Sequence, residues 1–286
     1  MDNRSDQYAL HTNASELPVE ADAAPASNVS VLGDVVNGMA SWRLWSHMAL
    51  RDIQMRYRRS LIGPFWLSIN LLVLVLSLGL LYSQIFRVDY QDYLIYLCLG
   101  LVVWQLLSTI ITEACSILIE NETQLRSLPL SVTTLSSRMV MRNLMVLGHN
   151  AVVVIGLLVV FKAPLSLNSL MALPGIALLT LVGVCLGLIM GPLCLRFRDV
   201  PQVVASVLQI GFFLSPILWS TSQLPNRMAI VEFNPIYHLV EIVRAPLLNE
   251  TVSLQTWIVV GVILIFLMIG SVISLGLSKK NIYYWL

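Results

Sequence analysis

The chain has 286 residues, 57% of them hydrophobic and 12% charged, and its mean hydropathy is +0.79. A soluble domain carries charge at roughly a quarter of its positions, so half that supply excludes a water-soluble enzyme. The net charge of +1 excludes the broad basic face that a nucleic-acid binder needs.

Residues 1–40 are polar and acidic, with Asp2, Asp6, Glu16, Glu20, Asp22 and Asp34 against Arg4 alone, and they show no apolar period. They read as a disordered cytoplasmic tail. Residues 41–60 predict an amphipathic helix. Trp42, Trp45, Ala49, Ile53 and Tyr57 form its apolar stripe, and Arg43, His47, Arg51, Gln54 and Arg58 the opposite one. Asp52 and Arg56 sit four apart, a spacing that supports a helical ion pair. Such a helix lies in the membrane interface, as an anchor or as a docking surface.

Residues 61–286 predict a transmembrane domain of six helices, from uncharged runs at 61–86, 93–112, 143–161, 163–195, 200–226 and 251–278. The shortest run, 19 residues, extends about 29 Å as a helix, close to one hydrocarbon thickness. The fourth run must contain a loop near Pro164 to Asn168. Thirteen Lys and Arg residues fall on one side of this topology and four on the other. Cytoplasmic loops accumulate these cations, which puts both termini inside. The fold class is therefore an all-α, multi-pass membrane protein with an N-terminal interfacial helix.

Two connections carry pattern of their own. The cytoplasmic one opens as a short charged helix with Glu120, Glu122 and Arg126, stopped before Pro129, which disfavours helix at Leu128. In the outer one, Ile236, Leu239, Val240, Val243 and Leu247 recur with helical period after Pro235. That stripe predicts re-entrant helices or helices packed over the spans.

A search for chemistry finds little. The lysines Lys162, Lys279 and Lys280 follow no glycine, so no phosphate-binding loop is present. Neither a Gly-x-Ser-x-Gly elbow nor a His-Glu-x-x-His pair occurs. No catalytic residue, cofactor or metal is expected. Cys98, Cys115, Cys185 and Cys194 read as small buried hydrophobes, and Asp89 with Asp92 as a turn rather than a metal pair. Within the spans, Glu113 and Arg142 approach the same membrane face on antiparallel helices and predict an intramembrane ion pair. His149 and Asn150 suggest an interhelical hydrogen bond, and His238 a local one near Glu241. Tyr82, Phe86, Phe212, Phe213, Trp219 and Tyr237 gather towards the outer ends. They read either as an interfacial belt or as aromatic faces lining a path for sugars.

The run Arg51-Asp52-Ile53-Gln54-Met55-Arg56-Tyr57-Arg58-Arg59-Ser60-Leu61-Ile62-Gly63-Pro64-Phe65-Trp66, with Arg198-Asp199, Asn234-Pro235 and Arg244, resembles polysaccharide-export permeases. These are the membrane subunits of ATP-binding-cassette (ABC) exporters of O-antigen, capsule and teichoic acid. The resemblance runs from about Trp42 to the C-terminus. It implies a homodimeric permease in the bacterial inner membrane, surrounded by membrane lipids. Two cytoplasmic ATPase subunits would bind the ATP, and a polyprenyl-diphosphate-linked polysaccharide would be the cargo. By position it implies that Arg51, Arg56, Arg58 and Arg59 flank the entrance for the lipid diphosphate. It likewise implies that the segment from Glu120 to Pro129, with Glu122, Leu125 and Arg126, couples to the ATPase, and that Pro235 to Leu247 forms outer gate helices. Leu125 would anchor the ATPase through apolar contact, and Glu122 and Arg126 would set the register. A membrane enzyme acting on polyprenyl-linked sugars would need an intramembrane carboxylate cluster. A secondary transporter often shows an inverted repeat. The sequence has neither.

Overall fold

A computed structural model describes residues 31–128, 130–163, 166–220, 231–278 and 281–285, and among these every regular element is helical. In chain order they are α1 (Val31–Ala40), α2 (Trp42–Arg56), α3 (Phe65–Phe86), α4 (Tyr90–Glu120), α5 (Glu122–Ser127), α6 (Val132–Val160), a 3-10 turn (Leu167–Met171) and α7 (Ala172–Arg196). There follow α8 (Val200–Leu214), α9 (Pro235–Leu247), α10 (Leu254–Ser278) and α11 (Ile282–Trp285). Five helical stretches are long and apolar enough to cross a membrane: α3, α4, α6, the turn with α7, and α10.

Turn chemistry sets the boundaries. Gly63 holds the left-handed φ of 64° that swings the chain from α2 into α3, and its N–H donates to Ser60 Oγ at 3.1 Å. Asp89 caps α4 by accepting from Gln91 and Asp92 N–H groups, which absorbs the carboxylate into backbone satisfaction. Leu128 is extended, as a residue before proline must be. Asn234 caps α9 with Pro235 in its first turn.

Two sequence expectations need correction. Val31–Ala40 is helix, not tail: Gly38 lets α1 close onto Thr133 and Ser131, where an added Cβ would stand 2.6 Å from the Thr133 Cβ. Residues 1–30 lie outside the described residues. Of the 27-residue run expected as the fifth span, the described part holds α8, 15 residues and about 22 Å long, which ends where Pro216 disfavours helix at Ser215; residues 221–226 lie outside the described residues. Asp52 does not pair with Arg56. It faces α6, while Arg56 is exposed. A smaller difference is that α6 opens at Val132, eleven residues before the uncharged run at 143–161, so Arg138 also stands on the helix.

α4 is the central post, buried along most of its length and packed on α3, α6, α7, α8 and α9. α7 reaches α4 and α6 through glycines spaced four apart. Added Cβ atoms would stand 3.0 Å from Val140 at Gly183, 2.6 Å from Ser136 Oγ at Gly187 and 3.0 Å from Ile117 at Gly191. Association of apolar helices relies on such close backbone approach, since lipid supplies little hydrophobic drive. On the periphery, α3, α8 and α10 leave large apolar side chains exposed, among them Leu80, Val207, Phe213, Phe266 and Ile269. The cysteines are free and buried.

Candidate functional site

The described residues divide into a charged tie beside α2 and α5, a polar groove along α3, α4 and α8, and a clamp around α9. In the tie, Ala49 and Ile53 bury against the spans and carry Asp52 in with them. Arg138 grips Asp52 with two parallel bonds, Nε to Oδ2 at 2.7 Å and Nη2 to Oδ1 at 2.6 Å. Arg142 reaches Asp52 Oδ2 at 3.1 Å and Glu113 Oε2 at 2.9 Å. Asn143 donates to Glu113 at 2.6 Å. Glu113 and Arg142 thus meet, within a four-charge cluster that sums to zero. Mutual neutralisation is what makes partly buried charge tolerable. Arg142 Nε is buried without an acceptor.

The four arginines of the entrance motif lie outside this tie. Arg51, Arg56, Arg58 and Arg59 are all exposed, and none pairs with a carboxylate among the described residues. Trp42 is exposed too, with Arg43 over its ring at 5.5 Å. On α5 the expected docking residues separate. Leu125 is buried in the protein's own core and cannot anchor a partner, a correction to the sequence reading. One helical turn has room for a single inward position, and Leu125 takes it. Glu122 and Arg126 pair with each other at 3.0 Å on the surface. Thr123, Ser127 and Leu128 are the exposed neighbours, and Pro129 lies outside the described residues.

The groove has a volume of about 600 Å³. Asn70 of α3, Gln105, Ser108 and Thr112 of α4 and Gln209 of α8 bring polar groups to it, and Trp104 and Phe212 supply rings 5.6 Å apart. Asn150 ties its wall together, donating to Gln105 at 3.1 Å and accepting from Ser68 at 3.3 Å. His149 hydrogen-bonds within its own helix, to the Met145 carbonyl, and its ring meets Phe65 of α3 edge-on at 5.4 Å. Of the six aromatic candidates, Phe212 lines this groove. Phe213 points away and is exposed. Tyr82 and Phe86 stack on each other at 5.6 Å, and Phe86 meets Tyr93 edge-on. Trp219 donates to the Phe213 carbonyl, and Tyr237 packs edge-on against His238. The six do not share one path. The sequence reading missed Gln105, Ser108 and Thr112, whose spacing of three and four put them on one face of α4.

At the α9 end, irregular backbone from Ser215 to Trp219 follows α8, and side chains satisfy it. Tyr93 Oη donates to the Leu218 carbonyl at 2.6 Å, and Tyr96 Oη lies 3.0 Å from the carbonyls of Pro216 and Trp219. Arg244, 1% exposed, donates to the Pro216 carbonyl at 2.7 Å and to Glu241 at 2.6 Å, over the Tyr96 ring at 4.1 Å. Non-helical backbone in a membrane protein survives where such partners replace water. His238 is buried between Thr256 and the Glu232 carbonyl, at 3.0 and 2.7 Å. A cavity of about 550 Å³ opens beside this clamp, lined by Asp89, Asp92, Tyr93 and Glu250 among others. Burial, and then the Glu241 carboxylate, push the Glu250 carboxyl above its ordinary range.

A family model described as ABC-2 type transporter matches residues 43–248, from the start of α2 to the end of α9. The chain belongs to the ABC-2 type transporter family. Among curated relatives, an O-antigen export system permease protein RfbA of Klebsiella pneumoniae is 28% identical over 211 residues, covering 72% of this chain and 80% of the relative. Another protein of that name and organism is 25% identical over 237 residues, covering 82% and 90%. One from Myxococcus xanthus is 24% identical over 195 residues, covering 66% and 74%. As an ABC-2 protein the chain is a multi-pass membrane transport subunit. The tie, the groove and the clamp all fall inside the matched region, whereas α1, α10 and α11 fall outside it.

Proposed function

We propose that this chain is the channel-forming permease of an ABC exporter. It moves a lipid-linked polysaccharide, of O-antigen or capsule type, across the bacterial inner membrane. The groove carries this reading. Amide and hydroxyl groups at membrane depth are stable where they line a wet path or meet a partner, and aromatic rings beside them accept the apolar faces of sugars. The names of the relatives support a glycan cargo.

α8 extends the argument to assembly. Only Gly211 of this helix is buried, and Gln202, Ser206 and Gln209 recur along one stripe. A second copy of the chain closes that face and turns two grooves into one channel. α8 and the residues after it supply a sixth span, and α2 lies in the cytoplasmic interface. The cation asymmetry puts both termini inside, with α9 as the outer gate. Arg51, Arg56, Arg58 and Arg59 meet the carrier diphosphate at the entrance, where guanidinium groups suit a multivalent anion. The chain binds no cofactor itself. ATP is hydrolysed by a separate subunit docked on the exposed face of α5, at Thr123, Arg126, Ser127 and Leu128.

Ser108→Trp tests this directly by filling the groove from α4. It should abolish surface glycan in cells and accumulate the lipid-linked intermediate, while the ATPase subunit still co-purifies. Ile258→Trp, on an exposed face of α10, should leave export unchanged. Normal surface glycan with Ser108→Trp would refute the channel reading.

A further inference from the structure

Arg138 touches two elements with one rigid group. Its Nε and Nη2 hold both carboxylate oxygens of Asp52 on α2, at 2.7 and 2.6 Å. Its Nη1 donates to Gln124 Oε1 on α5 at 2.9 Å, and to Asn121 Oδ1 at the α5 N-terminus at 3.3 Å. The side chain is 12% exposed, so water competes little for these bonds. A guanidinium is planar, with donors fixed in direction. An α5 that shifts must either break the Nη1 bonds or carry the whole plane, and Asp52, with it.

We infer that Arg138 is a positioning residue that transmits displacement of α5 to α2. The inference rests on the permease reading, in which α5 receives the ATPase. Its consequence is that the exposed arginines on and beyond α2, Arg51, Arg56, Arg58 and Arg59, reposition with the nucleotide state. The diphosphate-binding entrance is then opened or withdrawn by ATP rather than standing open. Arg142 plays the opposite part: it pins Asp52 to Glu113 on α4, at 3.1 and 2.9 Å. Asp52 thus has one fixed partner and one partner that moves with α5.

The test uses the permease with its ATPase in nanodiscs, the native cysteines replaced, and a spin label at Ser127→Cys on α5 or Leu50→Cys on α2. Both positions are exposed and their side chains lie outside the tie; because Ser127 is on the docking face, the labelled complex is used only where the ATPase subunit co-purifies and hydrolyses ATP as it does without the label. In the otherwise wild-type complex, trapping ATP should change both spectra. With Arg138→Lys, which keeps the charge but not the fork, the α5 label should still respond. The α2 response should fall about tenfold, the size of an ordinary coupling loss, while hydrolysis continues. Gln124→Ala leaves the Asp52 ion pairs whole and should have the same effect even if Arg138→Lys misfolds. Gln124→Glu keeps an acceptor and should restore the α2 response. An α2 label that responds normally in both Arg138→Lys and Gln124→Ala overturns the inference and leaves the permease reading standing. Silence of both labels in the wild-type complex overturns the permease reading, and this inference with it.

Discussion

Arg244→Leu should destabilise the protein by on the order of 3–5 kcal/mol, the range for removing one partner of a buried ion pair. Three losses coincide at this position. Glu241 keeps its charge beside a buried site with no cation to answer it, the Pro216 carbonyl loses a donor, and Tyr96 loses the guanidinium over its ring. The irregular stretch after α8 depends on those bonds, so it should detach from α4 first. Thermal unfolding in detergent, read by tryptophan fluorescence and size exclusion, is the measurement. Trp219 lies in the affected stretch and should report early. Arg244→Lys keeps a charge for Glu241 but cannot also span to Pro216, and should fall between wild type and Arg244→Leu. Unchanged unfolding in Arg244→Leu would mean that α9 is held by apolar contact alone.

The second large effect concerns the glycines of α7. A Cβ at Gly175 would stand 2.7 Å from the Ile242 carbonyl oxygen of α9, and one at Gly187 would stand 2.6 Å from Ser136 Oγ of α6. The Ile242 backbone cannot step aside as a long side chain does, and at Gly187 the Ser136 Cβ, at 2.8 Å, is fixed to its own backbone, so whole helices must separate. Overpacking of this kind costs about 1–3 kcal/mol per site, sometimes more. Gly175→Leu combined with Gly187→Leu should therefore yield little monodisperse protein, although leucine is the better helix former. Gly261→Leu is the control, since a Cβ there meets nothing within 4 Å. Equal yields for the double variant and the control would mean that α7 does not pack through its glycines.

These sites differ in how far the sequence disclosed them. Glu113 and Arg142 were legible because ionisable groups at membrane depth are few, and antiparallel helices bring such groups to the same level. The end of α5 was legible because Pro129 constrains Leu128 locally. Asp52 was not. Its local partner in sequence is Arg56, but Arg138, 86 residues away, wins by offering a bidentate fork in a drier place. Leu125 was misassigned because a six-residue helix is too short for amphipathic periodicity to show which face is buried. The short α8 was hidden by composition: residues 200–226 are uniformly uncharged, and Pro216 is a local stop that average hydropathy ignores. The α7 glycines were visible as a spacing of four, a pattern that has meaning only when read as an interface. The aromatic residues could be placed towards the helix ends, but which ring faces which neighbour is a property of packing.

The permease reading is tested most directly in inverted proteoliposomes that hold this chain and its ATPase subunit, with α5 facing outward. Polyprenyl-diphosphate-linked glycan is added outside, and its passage into the lumen is followed by protection from an external glycosidase. ATP supplied outside should drive transfer. ATP confined to the lumen, or a proton gradient without ATP, should drive none, and the purified chain alone should hydrolyse no ATP. Transfer that proceeds on a proton gradient without the ATPase subunit would contradict the account.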